Sequence, residues 1–165
     1  MIQNSQEGGR SQRLSEQAKV KCFGSRAALC AEATISAGDS TPPTATINLE
    51  VAPMDAGRVG WGRKIVIQLS NSELPLLCAV LLGYLPELAL KRPDKGIDIQ
   101  RQHNKVFVRA SAGTNNLFLL PVTIGDSFRL SALALVQLKK QSGISDDTLI
   151  LAALRGAASL ATIPK

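Results

Sequence analysis

Aromatic residues are scarce: they make up 4% of the 165 residues, as one tryptophan, one tyrosine and four phenylalanines. A core must then be built from aliphatic side chains, so the place of each ring is informative. Histidine occurs once, as His103, and no His/Cys cluster offers the three or four ligands that a metal site needs. No Walker loop, dinucleotide fingerprint or nucleophile elbow is present. The glycine-rich stretch GRVGWGRK precedes a strand rather than a helix, so it lacks the helix N-terminus that cradles phosphates. These absences read against an enzyme and against a bound cofactor or metal.

Long apolar runs are missing as well. The longest, Leu74 to Leu82, contains Pro75 and Cys78 and falls short of the roughly 20 residues that span a bilayer. The opening MIQNSQEGGRSQRLSEQAK has no apolar leader segment, and Glu7 and Glu16 do not suit an organellar transit peptide. The three cysteines, Cys22, Cys30 and Cys78, are odd in number and show no CxxC spacing. They read as small buried thiols in a reducing, cytoplasmic setting, with a bacterial or mobile-element origin as the expectation.

What the chain has is positive charge. The net charge is +6 and the sequence pI about 9.6, which favours a polyanionic partner, nucleic acid or an anionic membrane face. From Lys91 to Arg109 there are six basic residues against Asp94 and Asp98. Arg58, Arg63 and Lys64 flank Trp61, which sits between glycines. A tryptophan in a basic loop is placed to stack on a base while neighbouring cations meet phosphates, or else to fold back as a lid on a sheet. Phe107, between Lys105 and Arg109, offers the same mixture or a core ring.

Hydrophobic periodicity organises the chain. Residues 1–20 are polar and read as a flexible tail, 21–160 as one domain and 161–165 as a short tail. CFGSRAALCAEATI reads as a strand, AGDSTPP as a loop, and TATINLEVAP as a strand with Ile47, Leu49 and Val51 on one face and Thr46, Asn48 and Glu50 on the other. After the loop MDAGRVGWGR, KIVIQLS is a strand with Ile65, Ile67 and Leu69 on one face and Lys64, Val66 and Gln68 on the other. NSELPLLCAVLLG is a helix capped by Asn71 or Ser72, with Pro75 in its first turn and Gly83 as its stop. GIDIQRQ, KVFVRAS and NLFLLPV are further strands. Asp126 or Ser127 caps a helix ended by Gly143, and Ser145 caps a last one over Asp146 to Ala158. The helices are apolar nearly all round and read as buried, unlike a helix that enters a duplex groove. The pattern implies an α+β fold: two packed antiparallel sheets from a repeated strands-then-helix unit, followed by C-terminal helices.

Four segments, in register, resemble the Whirly single-stranded DNA-binding proteins. They are GWGRKIVIQLSNSELPLLCAVL, NLFLLPVTIGDSFRLSALAL, NLEVAP, and GSRAALCAEA. The last is similar to that family's KGKAALS motif, keeping Arg26, Ala27, Ala28 and Leu29, with Gly24 and Ser25 in place of its first lysine and its glycine. The resemblance spans roughly Gly24 to Gln141. It implies two four-stranded antiparallel sheets packed crosswise, assembly as a homo-oligomer, specifically a tetramer, and binding of single strands along sheet edges with little sequence preference. The mitochondrial guide-RNA-binding proteins share that fold, so RNA is the alternative partner. The expected function is a non-catalytic binder that protects or presents single-stranded DNA in replication, recombination or transfer. The candidate contacts are Arg26, Arg58, Trp61, Arg63, Lys64, Arg101, Lys105, Phe107 and Arg109. The competing reading is a structural protein whose basic face docks an acidic partner.

Overall fold

Alternating apolar and polar residues drive most of this chain into strands, and a computed structural model describes residues 18–38 and 41–164 of it. The first sheet is built from β1 (Lys19–Phe23), β2 (Ala27–Gly38), β3 (Thr41–Asp55), the two-residue β4 (Arg58–Val59) and β5 (Ile65–Gln68). Helix α1 (Glu73–Leu81) follows. The second sheet is a meander of β6 (Glu87–Arg92), β7 (Lys95–Gln102), β8 (Lys105–Ser111) and β9 (Leu117–Thr123). Helices α2 (Ile124–Ser142) and α3 (Asp147–Ser159) close the chain. All strand pairs are antiparallel, and β3 is central to its sheet, with β2 on one side and β4 and β5 on the other. The expected architecture of two antiparallel sheets and C-terminal helices is thus present. Most of the expected N-terminal tail lies outside the described residues, but β1 begins at Lys19, inside its expected span.

The inward faces meet in one apolar cluster. Leu29, Ile47, Leu49, Val51, Ile65 and Ile67 come from the first sheet, and Leu90, Ile97, Ile99, Val106, Val108, Leu120 and Val122 from the second. Leu74, Leu77, Leu130, Ala134, Leu138, Ile150 and Leu154 add the three helices. Each fully buried aliphatic side chain contributes about 1.5–3 kcal/mol, so this shared core holds the two sheets together. Cys22, Cys30 and Cys78 are free and buried, as their surroundings in the sequence suggested. Burial pushes the Cys22 and Cys78 thiols up to about 12, with Asp126 adding to the effect at Cys22.

Several local expectations are corrected. CFGSRAALCAEATI is not one strand: the chain reverses at Gly24–Arg26, where the Gly24 N–H donates to the Ala27 carbonyl at 2.8 Å. A Cβ on Gly24 would lie 2.5 Å from Leu120 Cδ1 of β9, so only glycine lets this turn rest on the second sheet. Leu120 is fully buried and has little room to yield. Gly24→Ala is therefore expected to cost about 1–3 kcal/mol, read as a lower midpoint in urea with an unchanged slope.

The helix caps also shift. For α1 the cap is a reciprocal pair: Ser70 Oγ accepts the Glu73 N–H at 3.2 Å, and Glu73 Oε1 accepts the Ser70 N–H at 2.9 Å. Neither Asn71 nor Ser72 serves; Asn71 instead accepts a bond from the Thr44 hydroxyl at 3.0 Å. Thr123 rather than Asp126 or Ser127 caps α2, accepting the Asp126 N–H at 3.2 Å. Asp146 rather than Ser145 caps α3, accepting the Leu149 N–H at 3.1 Å. Gly83 and Gly143 both adopt the left-handed backbone that ends a helix, at φ 85° and 72°.

Thr46 is not on a wet face: it is fully buried, its hydroxyl donates to the Leu69 carbonyl at 2.7 Å, and Gln137 of α2 donates to the Thr46 carbonyl at 2.8 Å. Helix α2 lies across that end of the sheet and covers it. Nor are all helices buried on every face. Helix α1 is the most covered but leaves Leu76 exposed, α2 leaves Ile124, Phe128 and Val136 exposed, and α3 leaves Leu149 exposed. Strand β6 had no counterpart in the sequence reading; Leu88 and Leu90 point inward while Glu87, Ala89 and Lys91 are exposed.

Candidate nucleic-acid interface

The long strand β3 carries Trp61 to its position. Its end, Pro53–Asp55, turns through Ala56 and Gly57, both with positive φ (51° and 76°), into β4. The left-handed pair makes a tight hairpin. The Gly60 N–H then donates to the Pro53 carbonyl at 2.8 Å, and Trp61–Arg63 forms one 3₁₀ turn. The glycine-rich stretch is thus a hairpin return, pinned to β3, that fixes the indole.

Trp61 is partly buried, with the Lys21 Nζ 5.8 Å from its ring centroid. Lys21 belongs to the exposed side of β1 together with Lys19 and Phe23. The Arg26 carbonyl accepts the Met54 N–H at 2.9 Å, which brings the β1–β2 turn to the same end of β3. Arg58 pairs with Asp55 in the sheet register. Arg26, Arg58, Trp61 and Arg63 therefore gather around Pro53–Asp55, although up to 37 positions separate them in the chain. Asp55 is the acid among them, 3.9 Å from Arg63 and largely exposed. Lys64 sits next to this group but is held by Glu50, Nζ to Oε1 at 3.0 Å, so its charge is largely offset.

Arg63 links this group to the second sheet. Its guanidinium carbon is 5.9 Å from the Phe118 ring centroid and its Nη2 donates to Asn116 Oδ1 at 3.4 Å, both at the start of β9. Further along β9, the Gly24 turn abuts Leu120 and Pro121. Pro121 is the cross-strand neighbour of Phe107. Phe107 is on the outer face of the second sheet, partly exposed, and not in the core. Lys105 and Arg109 share that face, two residues to either side. Trp61 with Lys21 and Arg63 thus lies beside the start of β9, and Phe107 with Lys105 and Arg109 lies across that strand on the outer face of the second sheet, an interrupted strip of rings and cations.

Arg101 does not join it. It follows the register of the inward Ile97 and Ile99, and its Nη1 donates to the carbonyls of Val80 and Leu81 at 2.9 and 3.1 Å, capping the C-terminus of α1. Arg92 is likewise structural, donating to Glu73, Gln68 and Lys91. The basic run 91–109 therefore divides: alternate strand positions face opposite ways, and only part of its charge reaches the outer face.

The sequence reading missed Lys21, Phe23 and Phe128; the two rings are 60% and 74% exposed. The alternation in KVKCF carried the signal for Lys21 and Phe23, hidden by treating that segment as continuous with β2. Among the described residues no group of three His, Cys, Asp or Glu side chains could hold a metal ion, and no helix is long and apolar enough to cross a membrane.

No family model matches the chain, and no curated protein matches it. Among solved structures, a chain from the crystal structures of Trypanosoma bruciei MRP1/MRP2 is similar at a TM-score of 0.46 and 12% identity, covering 67% of this chain and 92% of that one. At that similarity the likeness carries no argument about function.

Proposed function

We propose that this protein binds single-stranded nucleic acid without catalysis, with DNA as the first partner and RNA as the alternative. The observation that carries the reading is the gathering of Arg26, Arg58, Trp61 and Arg63 around one end of β3, with Lys21 over the indole. Unpaired bases have exposed π-faces that stack on such rings whatever their identity, while cations alongside track the phosphates. A duplex hides those faces. A single strand crossing β9 would pass from the Trp61 group to Phe107 with Lys105 and Arg109. Binding along this route is tolerant of sequence, as suits a protein that protects or presents single strands in replication, recombination or transfer. The apolar side chains left exposed on α2 and α3 support assembly as a homo-oligomer, a tetramer by the Whirly resemblance; the cytoplasm is the compartment proposed for it.

The test is a titration of a labelled oligo-dT against the protein at several salt concentrations. Contacts from Arg26, Arg58, Arg63 and Lys105 predict a log–log slope of about −3 for a single strand. No binding at low salt, or equal affinity for duplex and single strand, contradicts the reading. Equal binding to heparin, unchanged by loss of the Trp61 ring, would show a docking face for an acidic protein instead.

A further inference from the structure

The outer face of the second sheet holds a groove whose chemistry differs from the rest of the strip. Its volume is about 400 Å³, within the roughly 300–1,000 Å³ of small-molecule pockets. Sheet register arranges its side chains in two rows: Glu87, Gln100 and Phe107 in one, Ala89, Asp98 and Arg109 in the next. Cross-strand neighbours on one face have Cβ atoms about 4.5–5.5 Å apart, so ring, guanidinium, amide and carboxylates surround one small space, opened by the small side chain of Ala89. Asp98 and Arg109 are direct neighbours, yet among the described residues neither makes an ion pair, nor does Glu87.

Two carboxylates in a cationic strip are wrong for phosphate and right for the hydrogen-bonding edge of a base. A carboxylate accepts only, so it selects adjacent N–H donors. Guanine presents two, N1–H and the N2 amino group, side by side. It also presents O6 and N7, the acceptor pair that an arginine fork matches. Adenine and cytosine put an acceptor next to their amino group, and thymine flanks its one N–H with two carbonyls, so each turns at least one lone pair toward the carboxylate. Phe107 supplies the stacking surface on which an unstacked base is read. Lys105 and Lys91 stand beyond the two rows, at opposite ends, where phosphates on either side of the base would pass.

We propose that this groove takes a single guanine, with Phe107 stacking, Arg109 facing O6 and N7, and the Glu87 and Asp98 carboxylates accepting from N1–H and N2–H. It rests on the single-strand reading and adds one discriminating position to an otherwise tolerant path.

The experiment compares labelled dT 12-mers carrying one central dG, dA, dC or deoxyinosine, by anisotropy at fixed salt. A single dG is expected to tighten binding about tenfold over dT alone, the order that a bidentate pair supplies. Deoxyinosine, which lacks the N2 amino group, should lose most of that gain. The double variant Glu87→Gln, Asp98→Asn should abolish the dG preference while still binding all-dT strands; both side chains are exposed, and an unchanged thermal midpoint confirms folding. All four strands binding within twofold of all-dT, or a dG preference that survives the double variant, overturns the guanine site and leaves the single-strand reading standing. Failure of every strand to bind overturns both.

Discussion

Replacing Trp61 with alanine is expected to weaken single-strand binding by about 1–3 kcal/mol, roughly 5- to 150-fold in Kd. The ring is only partly buried, it is the chain's sole tryptophan, and Lys21 lies over it. Its turn is fixed by backbone bonds, Gly60 to Pro53 and Arg63 to Gly60, that survive truncation of the side chain. The loss should therefore fall on affinity rather than on folding. Trp61→Phe, which keeps a stacking face, should restore most of the binding. The salt slope should hardly change in either variant, because the ring meets bases and the cations meet phosphates. Anisotropy with oligo-dT at two salt concentrations separates the two contributions. An alanine variant that binds as tightly as the parent removes Trp61 from the interface.

The largest expected effect on stability comes from Glu73. Its carboxylate receives both arms of the Arg92 guanidinium, Nη2 to Oε1 at 2.8 Å and Nη1 to Oε2 at 3.0 Å, and accepts the Ser70 N–H that begins α1. Arg92 also donates to the Gln68 carbonyl at 2.8 Å. One ion pair thus ties the end of β6 to the end of β5 and to the start of α1, joining the two sheets along their edges. Both side chains are mostly covered, with 18% and 30% of their surfaces exposed. Glu73→Gln is expected to cost about 2–3 kcal/mol, since it leaves the guanidinium short of its partner and loosens the cap. In a chain of this size that lowers the melting temperature by roughly 5–10 °C.

The same contact sets a pH dependence. The Arg92 hydrogen bonds hold the Glu73 carboxyl below the ordinary carboxylate value, with the Ser70 bonds acting in the same direction against burial. A depressed folded-state value means stability that is complete above the unfolded carboxylate range, about 4.3, and lost as pH falls through the folded value. The parent should hold its stability down to about pH 5 and lose it below, and Glu73→Gln should flatten that part of the profile. Thermal melts from pH 7 to pH 3 on both proteins check the sign.

Where two residues decide a face, the sequence was legible. Ile47, Leu49 and Val51, and Ile65, Ile67 and Leu69, alternate strictly and are buried as the alternation implies. The repeated strands-then-helix unit followed from the same signal, as did the helix stops at Gly83 and Gly143. What failed depended on partners distant in sequence. Thr46 looks polar and outward until α2 crosses it, with Gln137 reaching back 91 positions. Arg101 looks like one more cation in a basic run until its guanidinium is found on the end of α1. Strand β6, hemmed by Pro86 and Pro93, offered only two inward residues, Leu88 and Leu90. The β1–β2 reversal uses Gly24, Ser25 and Arg26, which lack the usual Asn-Gly or Asp-Gly signal.

The candidate site shows the same division. Trp61 with Arg58 and Arg63 was legible because the residues are neighbours in the chain; Arg26 joined them only through the antiparallel register that sets Ala27 opposite Pro53. Phe107 could be read as core or surface from its sequence, and the register of β8 decided for the surface.

The most direct test of the central claim is the intrinsic fluorescence of Trp61, followed while short single strands and a matching duplex are added in turn at low salt. The account predicts quenching that saturates with the single strand and is absent with the duplex. An emission that stays flat with the single strand, or falls equally with both, would contradict it.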